Sequence, residues 1–363
     1  MISYLHSLLN PVRNIIQGTL LHACIIIILM LITTSFISSA ACAPDIYVNQ
    51  TGWYRSGGEF NISITPIQAA VNNSTAGNMI YVYSGTYKEN VNVDRRLTLQ
   101  GEGADVVNVI ADLTSDHVFE VTADYVNISG FSLIWANDYD NEKAGIYLDS
   151  ADHCNIFNNN VLKNSIGIRL RFSSNNRLTN NNANSNKYGI YLRSSSNYNT
   201  LTNNNANSNK YGILLRSSSN NRLTNNTANS NDGGGIGLFS SSNNRLTNNT
   251  AKSNDRDGIY LGSSSNNRLT NNTAKSNKYG IYLDSSNNNT LTNNTANSNQ
   301  YGIRLYSSSN YNTLTNNTAN SNRYGIRLDS SSNNRLTNNT AKSNQYGIYL
   351  DSSNNNTLTN NTA

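Results

Sequence analysis

Two groups of residues in this sequence could do chemistry. The first is its densest acidic stretch, Asp138-Tyr139-Asp140-Asn141-Glu142, followed by Asp149 and by Asp152-His153-Cys154. Alternating acidic side chains supply the hard oxygen donors that calcium takes. Asp138, Asp140, Glu142 and His153 are therefore the candidate metal ligands, with calcium as the cation; no other cofactor is implied. Against this, Lys143 stands where a calcium loop requires Gly and Asp149 where it requires Glu, so an acidic surface loop is the competing reading. His153 and Cys154 are softer donors suited to copper or zinc, but such a site needs three or four converging ligands and the sequence offers no second cluster.

The second group is a column of rings and guanidinium groups that recurs along the chain: Tyr147, Arg169, Tyr191, Leu214, Gly237, Tyr260, Tyr282, Arg304, Arg327 and Tyr349. Its Tyr and Arg members could bind carbohydrate by stacking and hydrogen bonding, or could simply stack on one another along a sheet. A neighbouring column mixes Asp, Arg and Tyr, so the two would form one flat face. A third column, Tyr188, Tyr211, Tyr279, Tyr301, Tyr324 and Tyr346, reads as corner packing. Hydrolysis of a glycoside needs two carboxylates across a groove. Acidic residues in the repeats are scattered (Asp149, Asp284, Asp329, Asp351), and only Asp329 and Asp351 fall in adjacent coils, about 5 Å apart.

The elements that would position these residues come from a repeat. Gly-Ile-x-Leu recurs with its glycines at 145, 167, 189, 212, 235, 258, 280, 302, 325 and 347, a period of 22 or 23 residues. A second apolar column runs from Ile156 through Leu178 and Leu201 to Leu358, and a third from Val161 through Ala183 to Ala363. A fixed period of this size means a solenoid. Leu is too sparse for a leucine-rich repeat, and the Ser- and Asn-rich stretches are poor helix formers. Gly-Ile-x-Leu alternates with period two, which places Ile and Leu on one face of a strand. The fold class is therefore all-β, a single-stranded parallel β-helix with three short strands per coil. Ten coils at about 4.8 Å each give a rod of roughly 50 Å.

Asn makes up about a fifth of the chain, whereas charged residues are only 13%. Asn pairs such as Asn225-Asn226 and Asn248-Asn249 follow the second strand of most coils. Stacked amides can donate to one neighbour and accept from the other, so these pairs are expected to form buried ladders at the corners. Asn-x-Thr and Asn-x-Ser sequons are abundant. A ladder Asn would be unreachable, which leaves Asn49, Asn61 and Asn127 as the glycosylation candidates.

Residues 1–43 contain one Arg, no acidic residue, an apolar run from Ala23 to Ile37 and then small residues. They read as an export signal, or as an N-terminal anchor if uncleaved, and that segment is the only expected contact with a membrane. Without it the chain carries 25 basic and 21 acidic residues (26 − 1 and 21 − 0), a weak field that argues against a nucleic-acid groove. Cys154 would be the only thiol left, so no internal disulfide is expected. The expected location is extracellular or at the cell surface.

Residues 44–144 lack a 22-residue copy. Within them Thr65–Val71 reads as a short helix with Pro at its first turn, and Ala76–Val91 as strand, turn and strand. This segment is expected to be a cap with irregular coils, ahead of regular coils over 145–363. The stretch Ile67–Gly101 resembles the cap and first coils of pectin-lyase-like right-handed β-helix proteins, and the repeats resemble the NosD-like family of microbial surface proteins. The resemblance implies right-handedness and an N-terminal helix cap. It does not carry an active site: the Asn-Thr-Asp, Asp-Asp and Gly-His-Gly motifs of polygalacturonases do not occur. Ten near-identical coils without a catalytic cluster imply a secreted or surface rod with a structural or glycan-interacting, non-catalytic role. The alternatives are a polysaccharide-active enzyme with its site near the first repeats, and the copper-associated role that the family name suggests. The sequence ends in mid-coil at Ala363, and an unpaired parallel edge there is expected to favour end-to-end association.

Overall fold

The computed structural model describes residues 43–138 and 142–363. The expected export segment, apart from Ala43, and Asp140 lie outside the described residues. Pro44–Ala363 form one compact unit, a right-handed parallel β-solenoid in which each coil closes a triangle.

Gly-Ile-x-Leu builds the first side of the triangle, here called the glycine face. Twelve parallel strands stack on it, ten from the regular coils and two, Val91–Val93 and Phe119–Val121, from the irregular ones. Register is strict, so Ile pairs with Ile and Leu with Leu, as in Ile281↔Ile303 and Leu283↔Leu305. The second side, the leucine face, carries the x-Leu-Thr strands in a sixteen-stranded sheet. At its N-terminal end Ile46–Asn49 joins in parallel, while Gly52–Arg55 and Phe60–Ile62 add an antiparallel meander. The third side, the alanine face, departs from the expected strand. Four strands (Gly85–Lys88, Val107–Ile110, Ser132–Ile134, Asn160–Leu162) and one later pair, Thr250–Lys252 with Thr273–Lys275, are regular there. Elsewhere the face is reduced to single bridges such as Thr295↔Thr318. Left-handed residues bound this short side in every regular coil before the last, Asn293 and Ser298 around a bridge just as Asn248 and Ser253 around the strand Thr250–Lys252.

The Ile, Leu and Ala columns are buried as far as Leu336 and form one continuous core, while Leu350 and Leu358 of the last coil are exposed. Gly and Ala are a matched pair at the corner where two faces converge. A Cβ on Gly280 would lie 2.5 Å from the Gly302 carbonyl oxygen and 3.1 Å from Ala296 Cβ, so neither residue has room to grow.

Each Asn pair divides its labour. In Asn271-Asn272 the first residue takes φ of 56° and faces solvent, while the second is buried. Asn272 Oδ1 accepts from the backbone N–H and the Nδ2 of Asn249 at 2.9 and 3.0 Å. Its own Nδ2 donates to the Leu246 carbonyl and to Asn294 Oδ1, both at 3.0 Å. Two further Asn ladders and a Ser ladder occupy the other corners, as in Asn254 N–H to Asn277 Oδ1 (2.9 Å), Asn244 N–H to Asn267 Oδ1 (2.8 Å) and Ser241 N–H to Ser264 Oγ (3.0 Å). These bonds give partners to backbone groups at turns where water cannot enter, and each added coil repeats them.

The N-terminal end is covered by a seven-residue helix, Pro66–Asn72, with Pro66 in its first turn. The N–H groups of its first turn, which have no partner within the helix, are met by Glu89, whose two carboxyl oxygens accept from Ile67 (3.0 Å) and Gln68 (2.9 Å). Burial pushes the Glu89 carboxyl up to about 7 against the pull of those two bonds.

Candidate functional site

The outward column of the glycine face is not an open ladder. Tyr147, Tyr191 and Tyr282 are only 5%, 3% and 7% exposed, and Arg169 is likewise buried. Tyr260, Arg304 and Arg327 are half-buried, and of the eight candidate glycan contacts only Tyr349 is exposed. Tyr147 stacks on His117 at 4.4 Å, and from Tyr188 onward the covering layer is the Tyr column that the sequence suggested was corner packing. Tyr188 stacks on Tyr191 at 5.3 Å and Tyr279 on Tyr282 at 4.8 Å. These covering rings also stack on each other along the rod: Tyr279–Tyr301 at 5.0 Å, Tyr301–Tyr324 at 5.1 Å and Tyr324–Tyr346 at 4.8 Å. Guanidinium groups lie among them, with Arg304 4.6 Å from the Tyr306 ring centre and Arg327 4.7 Å from that of Tyr324. Asp329 ties both down, accepting from Arg304 Nε at 2.8 Å and Arg327 Nε at 2.6 Å. That carboxylate is in register with Asp351 as expected, but it is committed to two arginines and is not free to act with its neighbour.

The stack is broken once. Between Tyr211 and Tyr279 the covering column reads Gly234 and Asp257, so two successive coils have no ring. The break is three coil rises from ring to ring, about 14 Å. Gly237 removes the ring from the column beneath as well. The result is a shallow cleft of about 370 Å³ against Tyr211, Leu214, Arg216 and Phe239, with an adjoining pit of about 20 Å³ that reaches Gly234, Gly237, Asp257 and Tyr260. The local glycines have steric causes: a Cβ on Gly233 would lie 2.7 Å from the Tyr211 ring, and one on Gly262 2.6 Å from the Tyr260 hydroxyl. At Gly234 a Cβ would meet nothing closer than 3.6 Å, so the missing ring is a choice of sequence and not a demand of packing.

Asp257 gives the cleft its polarity. It is 7% exposed, its Oδ1 is buried with no hydrogen-bond partner, and Arg256 Nε approaches Oδ2 at 3.5 Å. Burial raises its carboxyl to about 6, against the lowering influence of Arg256 and Lys278. A buried carboxylate with an unused acceptor beside aromatic rings is the arrangement that a polyhydroxylated ligand would complete. Sequence reasoning passed over this residue. The signal was present in the run Gly233-Gly234-Gly235 and in Gly234 and Asp257 standing where every other regular coil from Tyr188 onward places Tyr.

Among the described residues, the candidate cation ligands Glu142 and His153 do not converge. Glu142 is engaged by Arg193 NH1 at 2.8 Å and Arg169 NH2 at 3.4 Å. His153 stacks on Tyr125 at 4.9 Å on an exposed corner, beyond the far end of the strand Ala144–Asp149. Asp149 faces Arg171 NH1 at 3.4 Å. Cys154 is buried, its thiol pushed up to about 11 by burial, which makes it a core residue and a poor metal ligand. Among the described residues no group of three His, Cys, Asp or Glu side chains could hold a metal. Of the glycosylation candidates, Asn61 is exposed, Asn49 closes a turn by accepting from Thr51 and Gly52 N–H at 3.0 and 3.1 Å, and Asn127 sits in mid-sheet between Thr98 and Asn155.

Comparison with known proteins agrees with this architecture. The family described as "Right handed beta helix region" matches residues 70–221, 183–319 and 308–363. A cell surface glycoprotein of Methanothermus fervidus is 30% identical over 139 residues, which is 38% of this chain and 20% of that protein. The chain thus spans about a fifth of the length of that relative. Among solved structures, the A-module of mannuronan C-5 epimerase AlgE4 from Azotobacter vinelandii superposes with a TM-score of 0.65 at 17% identity, over 80% of this chain and 94% of that one. The catalytic domain of a GH87 alpha-1,3-glucanase gives a TM-score of 0.70 at 17% identity, over 89% and 70%. These structural likenesses establish the fold alone. With matched segments reaching from residue 70 to 363, the chain belongs to the right-handed β-helix family.

Proposed function

We propose that this chain is an exported, cell-surface β-helix that holds polysaccharide in the break of its aromatic stack, without catalysis. The observation that carries the reading is the gap at Gly234 and Asp257. Two stacks of rings end there, an arginine flanks them, and a buried carboxylate oxygen lacks a partner. Sugar rings present apolar faces and hydroxyl edges, and the cleft offers aromatic surface with a buried acceptor. The relative described as a cell surface glycoprotein supports the location, and neighbours that act on polysaccharides support the ligand class.

The non-catalytic part rests on the lining of the cleft, in which Asp257 is the only acidic residue; Asp232 and Asp255, two residues before Gly234 and Asp257, are exposed and outside that lining. The acidic residue on the adjacent strand, Asp284, pairs with Gly262, five residues along from Asp257. That offset is about 16 Å, beyond the roughly 5–9.5 Å that separates the two carboxyl groups of glycoside hydrolases. The test is affinity electrophoresis against a panel of neutral and uronate-containing polysaccharides, run beside assays for reducing ends and unsaturated products. Retardation of the wild type, its loss in Gly234→Tyr and no product formation are expected. Turnover of any member of the panel would overturn the non-catalytic reading in favour of a polysaccharide-active enzyme.

A further inference from the structure

We propose that the vertex joining the leucine and alanine faces carries a row of asparagine-linked glycans. They would be attached to the first Asn of the repeated Asn-Asn-Thr. The sequence alone suggested that these asparagines are locked in the buried ladder. The structure separates them: the ladder uses the second Asn of each pair, whereas the sequon's acceptor is the first. Asn225, Asn248, Asn271, Asn293, Asn316 and Asn338 are all exposed and all left-handed, with φ between 54° and 56°. Their backbone N–H groups bond to the next coil, as in Asn248 to the Thr270 carbonyl at 3.0 Å, so the corner is rigid and the side chain projects from it. The hydroxyl residue two positions on, such as Thr250, is half-buried on the same vertex. Each of these six coils therefore presents an accessible Asn-x-Thr at a surface turn, which is what asparagine-linked transfer requires.

The chain contains its own control. Asn180 and Asn203 occupy the same exposed, left-handed corner, with φ of 55° and 56°, but Asn182 and Asn205 stand where Thr would be. These positions bridge in one column with Thr227 and Thr250, so the backbone is equivalent and only the hydroxyl differs. The co-reactant is a lipid-phosphate-linked saccharide. Asn Nδ2 bonds to its anomeric carbon, the carbon–oxygen bond to phosphate breaks, the lipid phosphate leaves with the electron pair, and an amide proton passes to a base of the transferase. Successive acceptors are one coil rise apart, about 4.8 Å, which is narrower than a pyranosyl chain. Neighbouring acceptors therefore exclude each other, and occupancy of alternate coils is the ceiling. This vertex is the one that the glycine face does not touch, so sugars here leave the aromatic cleft open.

The experiment expresses the full chain in cells that glycosylate exported proteins, with one sequon in a flexible C-terminal tag as an internal standard. Intact mass and peptide mapping are then read before and after deglycosylation. Glycan on the Asn-Asn-Thr corners, none at Asn180 or Asn203, and no molecule modified at two adjacent coils are expected. Thr250→Val should remove the glycan from Asn248 and Thr250→Ser should keep it. Asn205→Thr should place a glycan on Asn203 in molecules whose Asn225 is bare. Bare corners beside a modified tag, or an Asn205→Thr chain that is folded by circular dichroism and shows no glycan on the Asn203 peptide, would overturn the proposal.

Discussion

The stack from Tyr279 to Tyr346 and the gap at Gly234 and Asp257 are the same column of the same repeat, filled in one place and empty in the other. Where it is filled, each ring has ring neighbours in the coils before and after or on the strand beneath, and arginines lie between them. Where it is empty, the inner core continues unchanged, with Ile236 and Leu238 still buried and in register with Ile259 and Leu261. The rod thus tolerates loss of its outer aromatic layer because stability is carried inside by the Ile, Leu, Ala and Asn ladders. That independence lets two coils differ on the outside without breaking the solenoid.

The comparison can be broken in graded steps. The largest effect is expected from Asp329→Ala, which strands two largely buried guanidinium groups in the filled stack. It should cost about 3 kcal/mol and lower the thermal midpoint, whereas Asp329→Asn should cost less. Tyr301→Ala comes next. It removes two ring stacks and the contact with Arg304, which amounts to about 2–3 kcal/mol; an unchanged midpoint would mean that the outer layer contributes nothing anywhere.

In the gap the sign reverses. The Asp257 carboxyl is raised by burial to about 6, above its unfolded value of about 4. A raised carboxyl binds its proton more tightly in the folded state. Its contribution is therefore fully present below about pH 4 and is lost as pH rises through about 6. Asp257→Asn should stabilise the fold at pH 8 by an amount on the order of 1–2 kcal/mol, flatten the pH dependence between 4 and 6, and still lose polysaccharide retention. If the variant is both more stable and equally retentive, Asp257 is not a ligand group. The smallest effect on stability is expected from Tyr211→Ala, whose ring has a single ring partner, Tyr188 at 5.6 Å. A cost of about 1 kcal/mol, with retention abolished, would separate binding from folding.

Much of this was legible in the residues. Gly280, Ile281, Leu283 and Ala296 each belong to a column with a fixed period, and in a solenoid such columns become contacts because every coil packs only on its neighbours. The helix at Pro66 was legible from its proline. The role of Glu89 beneath that helix was not, because it depends on two coils being brought together. Nor was the burial of Tyr147, Tyr191 and Tyr282, since alternation says that a side chain points outward but not whether another ring lies over it. Glu142 and His153 stay apart for a related reason: closeness in sequence around a strand places them at opposite ends of it.

The sequence by itself therefore determined the period, the three inner columns and the solenoid. These follow from nearest-neighbour repetition, which is written directly into residue spacing. Only the tertiary structure decided which Asn of each pair is buried, which rings are covered and where the outer layer opens. Those outcomes depend on corner geometry and on side chains from adjacent coils converging in space, and no single coil's sequence contains that information.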